Sequence, residues 1–262
     1  MTNQNILIEK LQATLEDRFL KGRLIEPASP AKVAQAIDFG SNDTLSISSS
    51  GELSKEFLKE LHRHPNFTIG STASRILEGT SQYMIEVENF LADFHNVESA
   101  LFFNSGFEAN VAIWSVIPQP GDFVIYDEYV HASIHDGLRK GRAKTMPFAH
   151  SDCADLRRCL LQTKNEDPGF AEGRKNIFIS LESFYSMDGD GAPIQEIVEL
   201  AKEIFPRGNV LLVIDEAHSN GIVGPRGSGY ISHFGLEKEF VIRLHTFGKG
   251  LGSSGGRFST SS

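Results

Sequence analysis

The stretch Val210-Leu211-Leu212-Val213-Ile214-Asp215-Glu216-Ala217-His218 decides the fold of this chain. An unbroken apolar run of this length is typical of a strand that is buried on both faces of a parallel sheet. The run ends at Asp215, and open α/β sheets bind their ligands at the carboxyl ends of such strands. The stretch therefore predicts an α/β fold with a carboxylate at the ligand edge. A helix N-cap is the ordinary alternative role for this aspartate.

A second segment, Thr246-Phe247-Gly248-Lys249-Gly250, places one lysine among glycines. A lysine amine can form a Schiff base with the aldehyde of pyridoxal 5'-phosphate (PLP), and a carboxylate can keep the pyridine nitrogen of that cofactor protonated. Lys249 and Asp215 together therefore match what PLP requires of a protein. A lysine beside glycines is also common in solvated loops, so each residue alone is a weak indicator.

Upstream, an apolar strand at Ala100-Leu101-Phe102-Phe103 runs into the turn Asn104-Ser105-Gly106-Phe107, and a helical pattern follows through Trp114. Backbone N–H groups at a helix N-terminus favour an anion, because they lack partners within the helix and lie at the positive end of its dipole. The turn therefore predicts a phosphate cradle. A plain strand-to-helix turn capped by Asn104 or Ser105 is the alternative.

Two further predicted strands end in polar side chains. His131 follows the strand that begins near Asp122, and its imidazole could stack on a flat ring or simply cap the helix predicted from Ala132 to Arg139. The strand from Asn176 ends at Glu182, which could orient neighbouring donors, and Ser186 follows in the next turn, where its hydroxyl could donate to a ring hydroxyl or a substrate carboxylate.

Taken in order, these motifs resemble the α-oxoamine synthases, which are fold-type-I PLP enzymes that condense an amino acid with an acyl-CoA and release carbon dioxide. The motifs that carry the resemblance are Asn104-Ser105-Gly106-Phe107, His131-Ala132-Ser133, Glu182 with Ser186-Met187-Asp188-Gly189-Asp190, Asp215-Glu216-Ala217-His218 and Thr246-Phe247-Gly248-Lys249. The resemblance covers about residues 15 to 256. Within the family, the chain looks most similar to the 8-amino-7-oxononanoate synthases of biotin biosynthesis.

The resemblance implies a role for each matching residue. Catalysis would fall to Lys249, His218, Asp215 and His131. PLP would be bound by Ser105, Gly106, Phe107, His131, Glu182, Ser186, Asp215, His218, Thr246 and Lys249. Substrate would be bound by Arg18, Asn42 and Ser186, with an acyl-CoA and a small amino acid as the substrates. No metal ligand is expected. Thr44 stands where the family usually carries tyrosine, which leaves the acyl-chain preference open.

The resemblance also implies the architecture. Residues 1–45 would form an N-terminal helix and a substrate loop, and residues 46–262 would form the large PLP domain, a mostly parallel sheet flanked by helices. The C-terminal small domain of the family is expected to be missing, and no strand is predicted in the tail Gly252–Ser262. A full-length form would be a homodimer.

Two alternatives stay open. The chain could be a catalytically inactive interaction subunit of a longer homologue. It could also be another fold-type-I enzyme, such as an aminotransferase, a glycine C-acetyltransferase, an aminolevulinate synthase or a serine palmitoyltransferase. The run Ser186-Met187-Asp188-Gly189-Asp190 favours a synthase over an aminotransferase.

Bulk properties are those of a soluble α/β enzyme. The 262 residues carry a formal net charge of −9, which argues against nucleic acid or an anionic membrane as a general partner. Cys153 and Cys159 match no metal spacing, and a disulfide between them is not expected. No apolar stretch has the length of a membrane span, and no signal pattern opens the chain. A cytoplasmic or other intracellular location is expected.

Local patterns predict three helices before the first strand. The first should run from about Ile6 to Lys21. A capping box formed by Ser49 and Glu52 should open the second, which should continue through His62. The third should turn four apolar side chains inward, namely Ile85, Phe90, Leu91 and Phe94.

Overall fold

The computed structural model describes residues 3–260 and divides the chain into two compact units, Met1–Ser41 and Asn42–Ser262. The first unit holds α1 (Asn3–Leu20) and α2 (Pro30–Ala34). Helix α1 begins three residues before the predicted start at Ile6 and ends one residue before the predicted end at Lys21. Helix α2 opens with a side-chain cap, because Ser29 Oγ accepts the Lys32 N–H at 3.3 Å and Pro30 follows at the first helical position.

The second unit alternates helices and strands. Its helices are α3 (Glu52–Arg63), α4 (Gln82–Phe94), α5 (Gly106–Val116), α6 (Ala132–Lys140), α7 (Cys153–Glu166), α8 (Pro168–Ala171), α9 (Ile194–Ile204) and α10 (Tyr230–Phe234). Its strands are β1 (Ser99–Phe103), β2 (Phe123–Asp127), β3 (Lys144–Phe148), β4 (Ile177–Glu182), β5 (Val210–Asp215), β6 (Phe240–Thr246) and β7 (Gly256–Thr260).

The strands form one seven-stranded sheet in the order β1-β7-β6-β5-β4-β2-β3. The pairs β6–β5, β5–β4, β4–β2 and β2–β3 are parallel, and β7 pairs antiparallel with both β6 and β1. The predicted α/β fold with a mostly parallel sheet is confirmed. Strand β4 is buried along its whole length, and its last residue, Glu182, lies opposite Asp215 of β5. Two carboxylates therefore meet at one edge of the sheet.

Strand β7 corrects the prediction that no strand lies in the tail. It pairs with β6 on one side and β1 on the other, with Arg257 opposite His245 and Ser259 opposite Arg243. A short polar segment such as Gly256–Thr260 has little strand pattern of its own. Backbone hydrogen bonds to a strand on each side stabilise it there, and this context is not visible in the local sequence.

The predicted opening of α3 is also wrong. The N-cap is Gly51, in the left-handed region at φ 75°, and no side chain caps the helix at that residue. Ser49 instead donates its backbone N–H to Asp43 at 2.8 Å. In α4 two of the four apolar side chains predicted to point inward are exposed, Phe90 at 67% and Ile85 at 40%, whereas Leu91 and Phe94 are half-buried. The prediction is therefore wrong for Phe90 and Ile85 in the described chain.

The apolar core of the second unit packs around the central strands and helices α5, α6, α7 and α9. Gly137 lets α5 and α6 approach closely, because a Cβ at that position would lie 2.7 Å from the Trp114 Cβ. Cys153 and Cys159 are free thiols on α7. None of the helices within residues 3–260 combines the length and apolarity needed to cross a bilayer.

Candidate active site

A cavity of about 310 Å³ opens at the carboxyl ends of the parallel strands. Its walls come from the β1–α5 turn, the start of α6, the ends of β4, β5 and β6, and the loop that follows β6. Eight residues predicted from sequence line it, namely Ser105, Gly106, Phe107, His131, Glu182, Asp215, Thr246 and Lys249. The fold thus brings together side chains that are up to 144 positions apart in the chain, from Ser105 to Lys249.

Asp215 ends β5 with its side chain 7% exposed. One carboxylate oxygen, Oδ1, accepts the Ala217 N–H at 2.9 Å, which is the local turn role that an aspartate after a strand often has. The other oxygen, Oδ2, accepts a hydrogen bond of 2.8 Å from Asn110 Nδ2 on α5. Both oxygens are fixed, so the carboxylate has one orientation at the cavity wall.

Lys249 lies in the loop after β6, half-buried, with its Nζ 2.8 Å from His218 Nε2. Burial lowers the pKa of His218, and the positive charge of Lys249 lowers it further, so the imidazole is neutral at pH 7. A neutral Nε2 without a hydrogen can accept from the lysine ammonium. His218 does not itself line the cavity, but it holds the amine that does.

The N-terminus of α5 meets Thr246 across the cavity floor. Ser105 Oγ caps the helix by accepting the Glu108 N–H at 3.1 Å. A Cβ on Gly106 would lie 2.0 Å from Thr246 Oγ1, so only glycine permits this approach. The positive end of an eleven-residue helix therefore lies beside a threonine hydroxyl, which together suit a phosphate group.

His131 is the N-cap of α6, so the capping role weighed for it is present. Its backbone N–H donates to Glu182 Oε1, which ties the start of α6 to the end of β4. Burial lowers the pKa of the His131 imidazole, and the charge of Lys249 lowers it further against the opposing effect of Asp215. A neutral ring at the cavity wall is suited to lie against a flat aromatic ligand.

Glu182 is 4% exposed. Burial raises the pKa of its carboxyl to about 8, and the neighbouring charge of Asp215 adds to the rise. Glu182 is therefore largely protonated at pH 7. Its neighbour Tyr185 lies 1% exposed behind it, where the phenol oxygen accepts the Glu182 N–H at 3.3 Å.

Three predicted substrate residues lie elsewhere. Ser186 is exposed in the turn after β4 and does not line the cavity. Asn42 is exposed at the start of the second unit, also outside the lining. Arg18 belongs to α1 in the first unit. Their roles in substrate binding stay predictions.

Sequence reasoning missed other residues that line the cavity, among them Asn110, Ser133, Ser253 and Ser254. Asn110 was detectable, because it is a polar residue on the buried face of α5, between Ala109 and Ile113. An amide at such a position needs hydrogen-bond partners, and this need was the available signal.

Comparisons with known proteins agree with this geometry. The family model for aminotransferase class I and II matches residues 34–262. The chain belongs to this family. An 8-amino-7-oxononanoate synthase of Emericella nidulans is 47% identical over 243 residues, which cover 92% of this chain and 58% of that protein. An aminoacyl transferase of Aspergillus fumigatus, sphA, is 47% identical over 225 residues, covering 86% of this chain and 48% of that protein.

Among solved structures, a serine palmitoyltransferase variant from S. paucimobilis with a bound PLP–myriocin aldimine superposes with a TM-score of 0.78 at 28% identity. It covers 100% of this chain, and the chain covers 67% of it. The resemblance to α-oxoamine synthases predicted from the motifs is confirmed. The chain spans about half the length of the curated relatives it matches.

Proposed function

We propose that this chain provides the PLP-binding part of an α-oxoamine synthase, an enzyme that joins an amino acid to an acyl thioester with loss of carbon dioxide. The observation that carries the proposal is the meeting of Lys249 and Asp215 in one cavity, with the N-terminus of α5 at its floor. A reactive amine, a buried carboxylate and an anion site are the three parts that PLP needs from a protein.

The residues present fit that cofactor. A cavity of about 310 Å³ lies at the lower end of the size range of small-molecule sites. The absence of a Cβ on Gly106 lets Thr246 Oγ1 lie beside the N-terminus of α5, so that a hydroxyl and the helix N–H groups could bind the phosphate together. Asp215 would pair with the pyridine nitrogen, and the neutral imidazole of His131 would lie against the ring face.

When bound, PLP supplies an electron sink for the carbanion formed at the amino acid Cα. The side chains of this chain supply the proton handling. Lys249 Nζ lies 2.8 Å from His218 Nε2, so the neutral imidazole accepts a hydrogen bond from the lysine and orients its Nζ in the cavity. Lys249 would be the group that moves protons at the amino acid Cα. Glu182 holds the backbone of His131 and so fixes the ring at the cavity wall.

We propose a general substrate class, an amino acid and an acyl thioester, and within it a more specific enzyme type. The names of the relatives support an amino acid and an acyl group as substrates, and the synthase of Emericella nidulans supports an 8-amino-7-oxononanoate synthase type. An aminoacyl transferase matches at the same 47% identity, so the similarity supports the shared chemistry more strongly than any one acyl chain. For the complete enzyme we propose a homodimer, to which the uncovered apolar side chains of α4 would contribute.

The proposal is tested first by cofactor attachment. The purified chain is incubated with PLP, reduced with borohydride and digested, and the modified peptide is identified by mass spectrometry. We expect the cofactor on Lys249. Lys249→Ala should abolish the adduct, and Lys238→Ala, at a lysine outside the cavity, should not. Trapping on another lysine contradicts the proposed site.

A second measurement separates the reaction classes. A synthase releases CoA thiol only when an amino acid and an acyl-CoA are both present. An aminotransferase instead exchanges amino groups with keto acids and releases no thiol. An inactive interaction subunit gives neither product and should associate with a longer homologue. An acyl-CoA panel of increasing chain length would then identify the preferred acyl substrate.

A further inference from the structure

Asn110 occupies an unusual position for a side chain outside the predicted catalytic set. It lies on α5 with 3% of its surface exposed, and its Nδ2 makes two hydrogen bonds. One goes to Asp215 Oδ2 at 2.8 Å and the other to Ser133 Oγ at 3.0 Å. Both N–H groups of the amide are therefore used, and both point to residues that line the cavity.

The close packing of α5 on α6 makes these contacts possible. A Cβ on Gly137 would lie 2.7 Å from Trp114 Cβ and 3.0 Å from the backbone oxygen of Asn110. Since glycine stands there, the two helices approach until the Asn110 amide reaches Ser133 at the start of α6. The position of Asn110 is thus set by rigid, buried elements.

The hydrogen bonds continue from Ser133 to His131. Ser133 Oγ lies 2.8 Å from His131 Nδ1, and the Ser133 N–H donates to the same nitrogen at 3.2 Å. Because Ser133 Oγ already accepts from Asn110, its single hydrogen is directed to Nδ1. His131 Nδ1 is then an acceptor, and its ring hydrogen lies on Nε2. A continuous hydrogen-bonded chain, Asp215–Asn110–Ser133–His131, joins two walls of the cavity, and its first three members are buried.

We propose that Asn110 is a positioning residue that sets two cofactor contacts at once. It orients the Asp215 carboxylate toward the pyridine nitrogen, and through Ser133 it selects the tautomer of the His131 ring. This inference rests on the proposed binding of PLP in the cavity. The alternative is a buried asparagine that only stabilises the packing of α5 on α6.

A cofactor analogue separates the two roles. In 1-deaza-PLP a C–H replaces the pyridine nitrogen, so the contact with Asp215 is lost while the phosphate and aldehyde remain. Dissociation constants of PLP and of this analogue are measured by absorbance titration of the wild type and of Asn110→Ala. We expect the substitution to weaken PLP binding about tenfold or more and analogue binding by about threefold or less, because only PLP has the ring nitrogen that the oriented Asp215 carboxylate would contact.

Asn209 provides a matched control. It is also buried, and its Nδ2 likewise donates two hydrogen bonds, to Phe170 O at 2.9 Å and Lys175 O at 2.8 Å, but it does not line the cavity. Asn209→Ala should lower the melting temperature and leave both dissociation constants unchanged. The visible band of bound PLP should change its pH dependence in Asn110→Ala and not in Asn209→Ala.

A second variant covers the case in which Asn110→Ala does not fold. Asn110→Asp keeps the size of the side chain, but its carboxyl can donate to Asp215 only when protonated. Its preference for PLP over the analogue should therefore recover as the pH falls. Equal weakening of PLP and analogue in Asn110→Ala, or no recovery in Asn110→Asp, overturns the inference. Failure of the wild type to bind PLP overturns the proposed function itself.

Discussion

Two groups of buried polar side chains in the second unit differ in their hydrogen bonding: one group is joined by hydrogen bonds, and the other largely lacks partners. At the cavity, Asn110, Ser133 and Asp215 are at most 7% exposed and are joined by hydrogen bonds. Between α4 and strands β6 and β7 lies a second group, the basic cluster, formed by His95, Arg243, His245 and Arg257. Its members are at most 2% exposed, yet most of their nitrogens have no hydrogen-bond partner among the described residues.

The partners that the basic cluster does have are backbone oxygens. Arg243 Nη2 donates to His95 O at 2.6 Å, and Arg257 Nη1 donates to Leu91 O at 3.2 Å. Glu216 is the buried carboxylate whose charge acts on both arginines, and the charge of Glu237 acts on Arg243 as well. Burial raises the pKa of Glu216 to about 7, which weakens even that compensation.

The comparison shows what a polar group gains from partners. An unpaired buried charge costs several kcal/mol, whereas a hydrogen-bonded buried amide is close to neutral and fixes one geometry. The cavity network is therefore expected to fix the geometry of a site, and the basic cluster is expected to destabilise the part of the sheet formed by β6 and β7. If the cavity network serves a site, substitutions there should change cofactor binding or reaction rate more than the free energy of unfolding. If the basic cluster is destabilising, removing one of its charges should raise the free energy of unfolding.

The largest effect is expected at Asp215. Asp215→Asn keeps the shape but removes the charge that we propose to pair with the pyridine nitrogen, so the electron sink should weaken while the fold survives. We expect solvent exchange of the amino acid Cα hydrogen, followed by NMR in D₂O, to slow on the order of 100-fold or more. Asp122→Asn, at a buried aspartate away from the cavity, is the control and should exchange at the wild-type rate. Equal rates in the two variants would remove Asp215 from the mechanism.

The next effect is a gain in stability at Arg257. Arg257→Val should raise the free energy of unfolding by about 1–4 kcal/mol, because a poorly compensated buried charge is replaced by an apolar side chain suited to a strand. Calorimetry of the melting transition would measure it. Arg157→Val removes an exposed arginine that pairs with Glu203 and should change stability by less than about 0.5 kcal/mol.

The gain at Arg257 should also depend on pH. Burial lowers the pKa of its guanidinium to about 9 in the folded chain, below the ordinary 12.5. Between these values the unfolded chain binds more protons, so the wild type becomes more stable as the pH rises. The advantage of Arg257→Val should therefore be complete below pH 9 and shrink above it. A lower melting temperature for the variant at pH 7 would show that the charge is compensated.

Glu182 shares features of both groups. It lines the cavity, but burial raises its pKa, as it does for Glu216 beside the basic cluster. Its folded pKa of about 8 exceeds the ordinary 4.5, so the folded chain binds the extra proton between these values. Stability should then fall by up to a few kcal/mol as the pH rises from 5 through 8. Glu182→Gln should remove most of this slope. Chemical denaturation at several pH values would measure it, and a slope unchanged in the variant would contradict the assignment to Glu182.

The cavity residues that could be predicted from sequence are those that stand in a recognisable local pattern. Asp215 ends an apolar run, Lys249 stands among glycines, and Ser105 opens a helix after a strand, so each carries its own signal. Asn110 could be recognised from sequence only as a polar residue on a buried helix face. Its partners, Ser133 and Asp215, lie 23 and 105 positions away, so these contacts depend on the packing of α5 against α6 and β5 and cannot be read from the local sequence.

The parts that the sequence did not predict depend on long-range pairing. Strand β7 exists because β1 and β6 supply backbone partners on both sides, and nothing in Gly256–Thr260 alone favours a strand. The start of α3 was predicted at the wrong residue because Asp43 accepts the Ser49 N–H that Glu52 would accept in a capping box. The sequence motif alone does not indicate which of the two carboxylates is the preferred acceptor. Ser186 was assigned to the site by resemblance; it lies in an exposed turn outside the cavity lining, and its role stays a prediction.

The smallest effect is expected at His150, a polar residue that is partnered but only partly buried. Its Nδ1 lies 2.9 Å from Asp127 Oδ1 and its Nε2 lies 2.9 Å from Asp190 Oδ2, so it ties the end of β2 to the turn after β4. Burial lowers the pKa of this imidazole, but the hydrogen bonds and charges of Asp127 and Asp190 outweigh burial and raise it overall.

A histidine with a raised folded pKa contributes stability that is complete below its ordinary value of 6.5 and is lost as the pH rises through the folded value. His150→Asn should therefore cost below about 1 kcal/mol at pH 6 and less at higher pH, since one carboxylate partner is largely solvated. Amide hydrogen exchange should accelerate in residues 184–191 and stay unchanged at β5, because the cavity network does not include His150. His135→Asn is the control and should leave that turn protected. Faster exchange at β5 would show that the cavity geometry depends on the turn, and that the two regions are not independent.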